Sequence, residues 1–155
     1  MNIQYRLATI EDIPDLCEIR KIQLIHEGIE PVVNIDQYLH EFFEEHFKSN
    51  QLYQILACVD GKIIATGAIC FYFYPPSYTN PTGKIAYITN MYTDPMYRKQ
   101  GIATNILGML KEETKRRKVQ IMRLGASQMG RPIYEKIGFV QDTRWLSQKI
   151  DIQED

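Results

Sequence analysis

Tyr97-Arg98-Lys99-Gln100-Gly101-Ile102-Ala103-Thr104 sets two cations and a glycine just ahead of a helical pattern. That combination can hold a phosphate. Amides at the start of a helix have no partner inside it and point outward along its axis. Arg98 and Lys99 add positive field, and Gly101 removes the side chain that would keep a ligand off the backbone. Upstream, Ile85 to Tyr92 is β-branched and aromatic and reads as a strand, ended by Thr93-Asp94-Pro95. Downstream, Ile102, Ala103, Ile106, Leu107 and Leu110 recur at helical spacing. Taken alone, this stretch also fits an ordinary helix start with solvated cations.

The known phosphate loops discriminate. A P-loop needs Gly-Lys followed by Ser or Thr, whereas Ile follows both Gly61-Lys62 and Gly83-Lys84. The three spaced glycines of a dinucleotide fold are absent. Arg98, Gly101 and Ala103 form Arg-x-x-Gly-x-Ala, which resembles the acyl-CoA pyrophosphate loop of the GNAT superfamily of N-acetyltransferases. A second segment agrees. Leu124-Gly125-Ala126-Ser127 followed by Tyr134-Glu135-Lys136-Ile137-Gly138-Phe139 resembles the last motif of that superfamily, with Ser127 where an Asn is usual.

The resemblance implies acetyl-CoA as acyl donor, no metal, and direct attack by a primary amine of a small molecule or peptide. Tyr134 stands in the position of the general acid. Met91, Tyr92 and Thr93 would face the thioester and its pantetheine arm, with the Tyr92 amide holding the thioester carbonyl. Arg98, Lys99, Gln100, Gly101, Ile102, Ala103 and Thr104 would surround the pyrophosphate, Lys99 through its field alone. Ser127 would touch the cofactor arm. Acyl transfer from a thioester needs a neutral nucleophile, oxyanion stabilisation and a proton for the thiolate. An amine of pKa about 10 is mostly protonated at neutral pH. Many members of the superfamily carry a Glu on the strand before the loop, but Thr89-Asn90 holds no carboxylate, so a water chain or a base from elsewhere is implied. Glu27, Glu30, Tyr72 and Asn90 are candidate acceptor contacts. With Tyr74 and Tyr78 they suggest a cationic acceptor, because carboxylates and aromatic faces attract ammonium groups. The alternative is a GNAT-fold module that binds acyl-CoA as a sensor or partner without turnover.

Positioning these groups requires the following elements. Asn2 to Leu7 alternates as a strand, and Thr9 with Asp12 opens a helix with Ile10, Ile13, Cys17 and Leu24 on its inner stripe and Gly28 as its stop. Ile35, Tyr38, Leu39, Phe42, Phe43, His46 and Phe47 mark one face of a second helix. Gln51 to Val59 and Lys62 to Tyr74 form a hairpin about Asp60-Gly61, and a long exposed loop runs from Pro75 to Gly83. After the helix that follows the basic turn, Lys115 to Lys118 reads as a solvated run complementing the helix dipole. Val119 to Ala126 is a strand, Gly130 to Gly138 a short helix, and Phe139 to Ile150 supplies two closing strands or one bent one. The expected fold is α/β: a mixed, mostly antiparallel central sheet with helices on both faces, forming one domain over residues 1–155.

Composition sets the remaining bounds. A formal charge of −1 on 155 residues gives no general attraction to nucleic acid or anionic membrane. Cys17, Cys58 and Cys70 sit in apolar periodic segments and read as buried thiols. No signal pattern or membrane-length apolar run occurs, so a cytoplasmic setting is expected, and a homodimer is admitted.

Overall fold

The computed structural model describes residues 1–153, in two compact units: Met1–Gly125, and a second from Ala126 onward. The first unit holds a five-stranded sheet in the order β1-β2-β3-β4-β5. The strands are β1 (Gln4–Leu7), β2 (Leu52–Val59), β3 (Lys62–Phe73), β4 (Lys84–Thr93) and β5 (Ile121–Leu124). Three neighbouring pairs are antiparallel, and only β4 with β5 is parallel. Helices α1 (Ile13–His26) and α2 (Asp36–Lys48) separate β1 from β2, and α3 (Ile102–Arg116) makes the crossover from β4 to β5. This is the mixed, mostly antiparallel α/β architecture expected from the sequence.

Adjacent strand residues point to opposite faces, and two neighbours on β3 assign the layers. Ala68 joins Ile13, Leu16, Cys17 and Phe43 in one core cluster, so its face is covered by α1 and α2. A Cβ on Gly67 would run into Ile106 of α3 and Met91 of β4, so the opposite face belongs to α3. Ile102, Ile106, Leu107 and Leu110 bury the α3 stripe there, at the spacing the sequence displays.

Local chemistry sets the joints. Asp60 and Gly61 both have positive φ, the geometry of a two-residue hairpin turn whose twist matches its strands. At the start of α1, the Thr9 amide donates to the Asp12 carboxylate at 2.8 Å, and a 3₁₀ turn over Ile10–Asp12 precedes the α-helix. The same carboxylate takes two N–H groups of Arg6 at 2.8 and 2.7 Å, tying the helix start to β1.

Four expectations need correction. Ile10 is exposed and Leu16 takes its place in the inner stripe, because the first turn is 3₁₀ and shifts the phase of the helix. Tyr38 is also exposed, at the edge of the α2 face centred on Phe43. The basic run at the end of α3 is not simply solvated. Arg117 donates to Glu113 at 2.7 Å and to the Asn50 carbonyl at 2.9 Å, and its guanidinium lies 4.2 Å from the Phe71 ring centroid.

The fourth correction concerns the second unit. It contains α4 (Arg131–Lys136), and none of its described residues forms a strand. The closing strands expected over 139–150 are absent there. Their β-branched and aromatic residues are largely exposed, Val140 and Trp145 among them, and β propensity yields a strand only where a ladder partner is at hand. Arg144 instead folds back on Asp142, through its backbone amide and a two-pronged guanidinium contact.

Arg6 holds the Asp12 carboxyl below the ordinary carboxylate range. A lowered folded pKa contributes stability that is full above the unfolded value, about 3.9, and drains as pH falls through the folded value. Asp12→Asn is expected to cost about 1–3 kcal/mol at neutral pH, by urea unfolding, and to flatten the acid loss of stability below about pH 4. An unchanged midpoint with an unchanged acid limb would exclude the role.

Candidate active site

The centre of the candidate site is an irregularity in β4. Ala68 of β3 lies opposite Thr89 and Thr66 lies opposite Tyr92, so Asn90 and Met91 together face the single residue Gly67. Two residues against one is a β-bulge, and Asn90 occupies the left-handed region at φ +54°. Asparagine tolerates that region better than most residues. Its buried amide donates to Gln54 Oε1 at 3.3 Å, while Gln54 Nε2 donates to Thr66 Oγ1 at 2.8 Å and that hydroxyl donates to the Ile55 carbonyl at 3.0 Å. Three buried polar side chains thus satisfy one another and fix the bulge.

The bulge changes the parity of β4, so Tyr87 and Thr89 before it and Tyr92 after it share the face covered by α1 and α2. On the other side of β4, β5 ends at Leu124 opposite Ile88, leaving Thr89 to Thr93 with no ladder partner there among the described residues. Antiparallel pairs alternate between hydrogen-bonded and outward-facing backbone groups. Asp94 donates to the Ile64 carbonyl at 2.8 Å, so Tyr92, two residues back, also turns its backbone toward β3. The alternate residues, Met91 and Thr93, present theirs to the open edge. The expected role of the Tyr92 amide therefore conflicts with the register. Its backbone is committed to the ladder, and an edge donor must come from Met91 or Thr93.

The chain then turns sharply. Asp94 Oδ1 accepts the Met96 amide at 2.9 Å over a 3₁₀ turn begun by Pro95. Lys99 has φ +61° and Gly101 φ +78°, and Gly101 is the N-cap of α3. A Cβ at Gly101 would meet no atom within 4 Å, so the space above its backbone is open. The leading amides of α3, at Ile102, Ala103 and Thr104, follow directly, with the positive end of the helix dipole. The Arg98 side chain takes a different direction from the one expected of a phosphate ligand. Its Nε donates to the Thr93 carbonyl at 2.9 Å, and a terminal nitrogen lies 3.2 Å from His26 Nδ1 at the end of α1. The guanidinium can only donate, so Nδ1 is the acceptor in this contact. The His26 ring also lies 5.9 Å from that of Tyr92, whose phenol burial pushes above its ordinary pKa.

The acceptor candidates do not form one group. Glu27 accepts from Gln23 Nε2 at 3.1 Å, beyond the end of α1, and Glu30 is exposed. Tyr78 is fully exposed. Tyr72 accepts a hydrogen bond from Arg123 at 3.3 Å. Asn90 is part of the buried bulge. His26, at the end of α1, and Arg123, on β5, also belong to this region of the first unit. Neither lies in a motif, and only the fold brings them to these positions.

In the second unit, Tyr134 lies on α4, its ring packed edge-on to Phe139 at 6.0 Å. A Cβ at Gly130 would come within 2.9 Å of that ring, so the glycine makes room for it. Ser127 Oγ accepts the Gly130 amide at 3.1 Å and its carbonyl accepts that of Arg131 at 3.0 Å, so Ser127 shapes the entry to α4. Among the described residues no His, Cys, Asp and Glu cluster suits a metal ion, and no helix is long and apolar enough to cross a membrane.

Comparison with known proteins agrees with this geometry. Residues 15–139 match the model of the acetyltransferase (GNAT) family. A predicted acetyltransferase from Clostridium acetobutylicum, solved with acetyl-CoA, is 46% identical, with 96% of each chain covered and a TM-score of 0.94. A GCN5-related N-acetyltransferase from Ralstonia eutropha JMP134 shares the fold at 22% identity, covering 96% of this chain and 99% of its own, TM-score 0.90. Glucosamine-6-phosphate N-acetyltransferase from Arabidopsis thaliana shares it at 19% identity, covering 97% and 100%, TM-score 0.72. No curated protein matches the chain significantly.

Removing the Asn90 amide leaves Gln54 Oε1 without this donor and places a residue less suited to φ +54° at the bulge. Asn90→Ala is expected to lower stability by about 1–3 kcal/mol in thermal or urea unfolding. Asn90→Gly, which relieves the backbone but still lacks the amide, should recover only part of that loss. Full recovery by glycine would show that the hydrogen bond contributes nothing.

Proposed function

We propose that this chain, which belongs to the acetyltransferase (GNAT) family and is an acyltransferase, moves an acetyl group from acetyl-CoA to a primary amine. The observation that carries the donor is the open β4 edge leading directly into the basic turn and the start of α3. An extended amide-bearing chain such as pantetheine can add to an exposed strand edge by backbone hydrogen bonds. A pyrophosphate fits amides at a helix start, over a glycine with empty space above it. The 46%-identical relative was solved with acetyl-CoA, and its near-complete overlap supports the same donor here.

In this reading the Met91 amide holds the thioester oxygen as negative charge develops on it, and the Thr93 backbone holds the pantetheine arm. The turn from Lys99 to Thr104 holds the pyrophosphate through its amides. The Arg98 side chain keeps the edge in place by anchoring the Thr93 carbonyl. The amine nitrogen forms a bond to the acetyl carbon, the C–S bond breaks, and the amine's extra proton leaves to water or a base. Tyr134 is the acid for the departing thiolate. A phenol is protonated at neutral pH, whereas a thiol of pKa about 8.5 departs poorly with its charge unrelieved. The acceptor is a small-molecule or peptide amine, and the setting is cytoplasmic.

Release of free thiol from acetyl-CoA with a panel of primary amines tests the activity. Acetyl-CoA binding without amine-dependent release would favour the non-catalytic binding module. For the donor site, Gly101→Val is expected to weaken CoA at least tenfold by calorimetry, through both the added side chain and the strain at φ +78°. Wild-type affinity in a folded variant would remove the turn from the site. Tyr134→Phe keeps the ring against Phe139 and is expected to lower turnover roughly 10²–10⁴-fold with CoA affinity unchanged. Wild-type turnover where chemistry limits the rate would exclude Tyr134 as the acid.

A further inference from the structure

His26 is the last residue of α1, and no step of the proposed reaction uses it. Its exposed imidazole nevertheless sits against two groups of the donor site that are distant in sequence. A terminal nitrogen of Arg98 lies 3.2 Å from Nδ1, and the Tyr92 ring centroid lies 5.9 Å from that of the imidazole. Tyr92 stands just past the bulge in β4, and Arg98 opens the basic turn that leads into α3. One side chain at the end of α1 thus meets both the end of β4 and the turn.

The shape of a guanidinium gives this contact its consequence. Its nitrogens lie in one plane at fixed angles, so holding one of them sets where the others point. The Nε of Arg98 donates to the Thr93 carbonyl at 2.9 Å. The imidazole, bound to a terminal nitrogen of the same plane, therefore helps to aim that bond. The carbonyls at the end of α1 add the negative end of the helix dipole, which favours a cation here. Thr93 lies on the open edge of β4, and in the donor reading its backbone holds the pantetheine arm. With its carbonyl taken by Arg98, Thr93 leaves its N–H to that arm. The direction of the N–H is set through Arg98, and that of Arg98 through His26. From the Arg98 guanidinium held between His26 Nδ1 and the Thr93 carbonyl, we infer that His26 is a positioning residue for the acyl donor. It keeps Arg98 on Thr93 and so keeps the β4 edge in the shape that takes the pantetheine of CoA. It acts through Arg98 and not by contact with the reacting atoms. This deepens the acetyltransferase reading and rests on it for the donor.

Calorimetry of CoA binding to the full chain tests it. His26→Leu keeps bulk beside Tyr92 and removes the acceptor. It is expected to weaken CoA about threefold to tenfold, the range of one solvent-exposed, charge-assisted hydrogen bond, with the melting temperature unchanged. His26→Asn, whose Oδ1 can accept where Nδ1 does, should restore most of the affinity. In an Arg98→Gln background, His26→Leu should weaken CoA no further, because the two residues act as one unit. The wild-type protein gives an independent readout. At about pH 8, where histidine is ordinarily neutral, the imidazole nitrogen shifts in its NMR spectrum should show Nδ1 as the unprotonated nitrogen. A proton on Nδ1 overturns the inference even if no variant folds. Wild-type affinity in folded His26→Leu overturns it, as does an equal loss in the Leu and Asn variants. A loss of the same size with and without Arg98 overturns it as well. Failure of the donor reading appears separately, as no CoA binding by the wild type.

Discussion

Asn90 in the left-handed region, with its amide held by Gln54 and Gln54 held by Thr66, is the constraint on which the rest of the site depends. One extra residue in β4 would ordinarily be a defect in a buried sheet. Here it is over-determined, because each of the three polar side chains has its partner inside the protein and a regular strand would leave them mismatched. Strain of this kind persists only where the surroundings enforce it. Gly67, opposite the bulge, completes the arrangement. Any side chain there would collide with Met91 and Ile106, so the glycine lets the bulged strand lie against α3.

That single insertion sets the orientation of the edge left open where β5 ends at Leu124. β4 runs on past its last pair with β5, and Met91 and Thr93 turn their backbone groups to the unpartnered side. Exposed strand edges invite unwanted pairing and are commonly short, bent or covered. This one is short and bulged, ends at Pro95, and has its Thr93 carbonyl occupied by Arg98. The same arginine reaches His26, so one side chain links the end of β4, the approach to α3 and the end of α1. The basic turn and the end of α1 are thereby connected through a residue that the motif alone would assign to phosphate.

What the sequence makes legible is governed by range. The order of elements as far as α4, the Asp60-Gly61 turn and the stripe of α3 follow from short-range periodicity and turn chemistry, and the structure bears them out. Arg98-x-x-Gly101-x-Ala103 points to a phosphate-binding helix start for the same local reason. The bulge does not show in the sequence: Ile85 to Tyr92 reads as one β-branched and aromatic strand, and nothing local reveals that Asn90 takes positive φ. The expectation of Tyr92 as the edge donor assumes a regular strand, and one extra residue exchanges inward and outward backbone groups. Closing strands over 139–150 failed differently, through propensity without a ladder partner.

Electrostatics shows the same limit from another side. Glu27, Glu30 and the tyrosines near the long loop suggest a site for a cation when read as a list of residue types. The fold disperses them: Glu27 serves Gln23, Tyr78 is exposed, and Tyr72 and Tyr74 receive the guanidinium of Arg123. Aromatic faces attract a cation whether it belongs to a ligand or to the protein, and an internal arginine needs no association entropy to get there. Once the protein supplies the cation, the aromatic cluster ceases to be a receptor for positive charge. It becomes the support for a positive charge that the protein itself supplies.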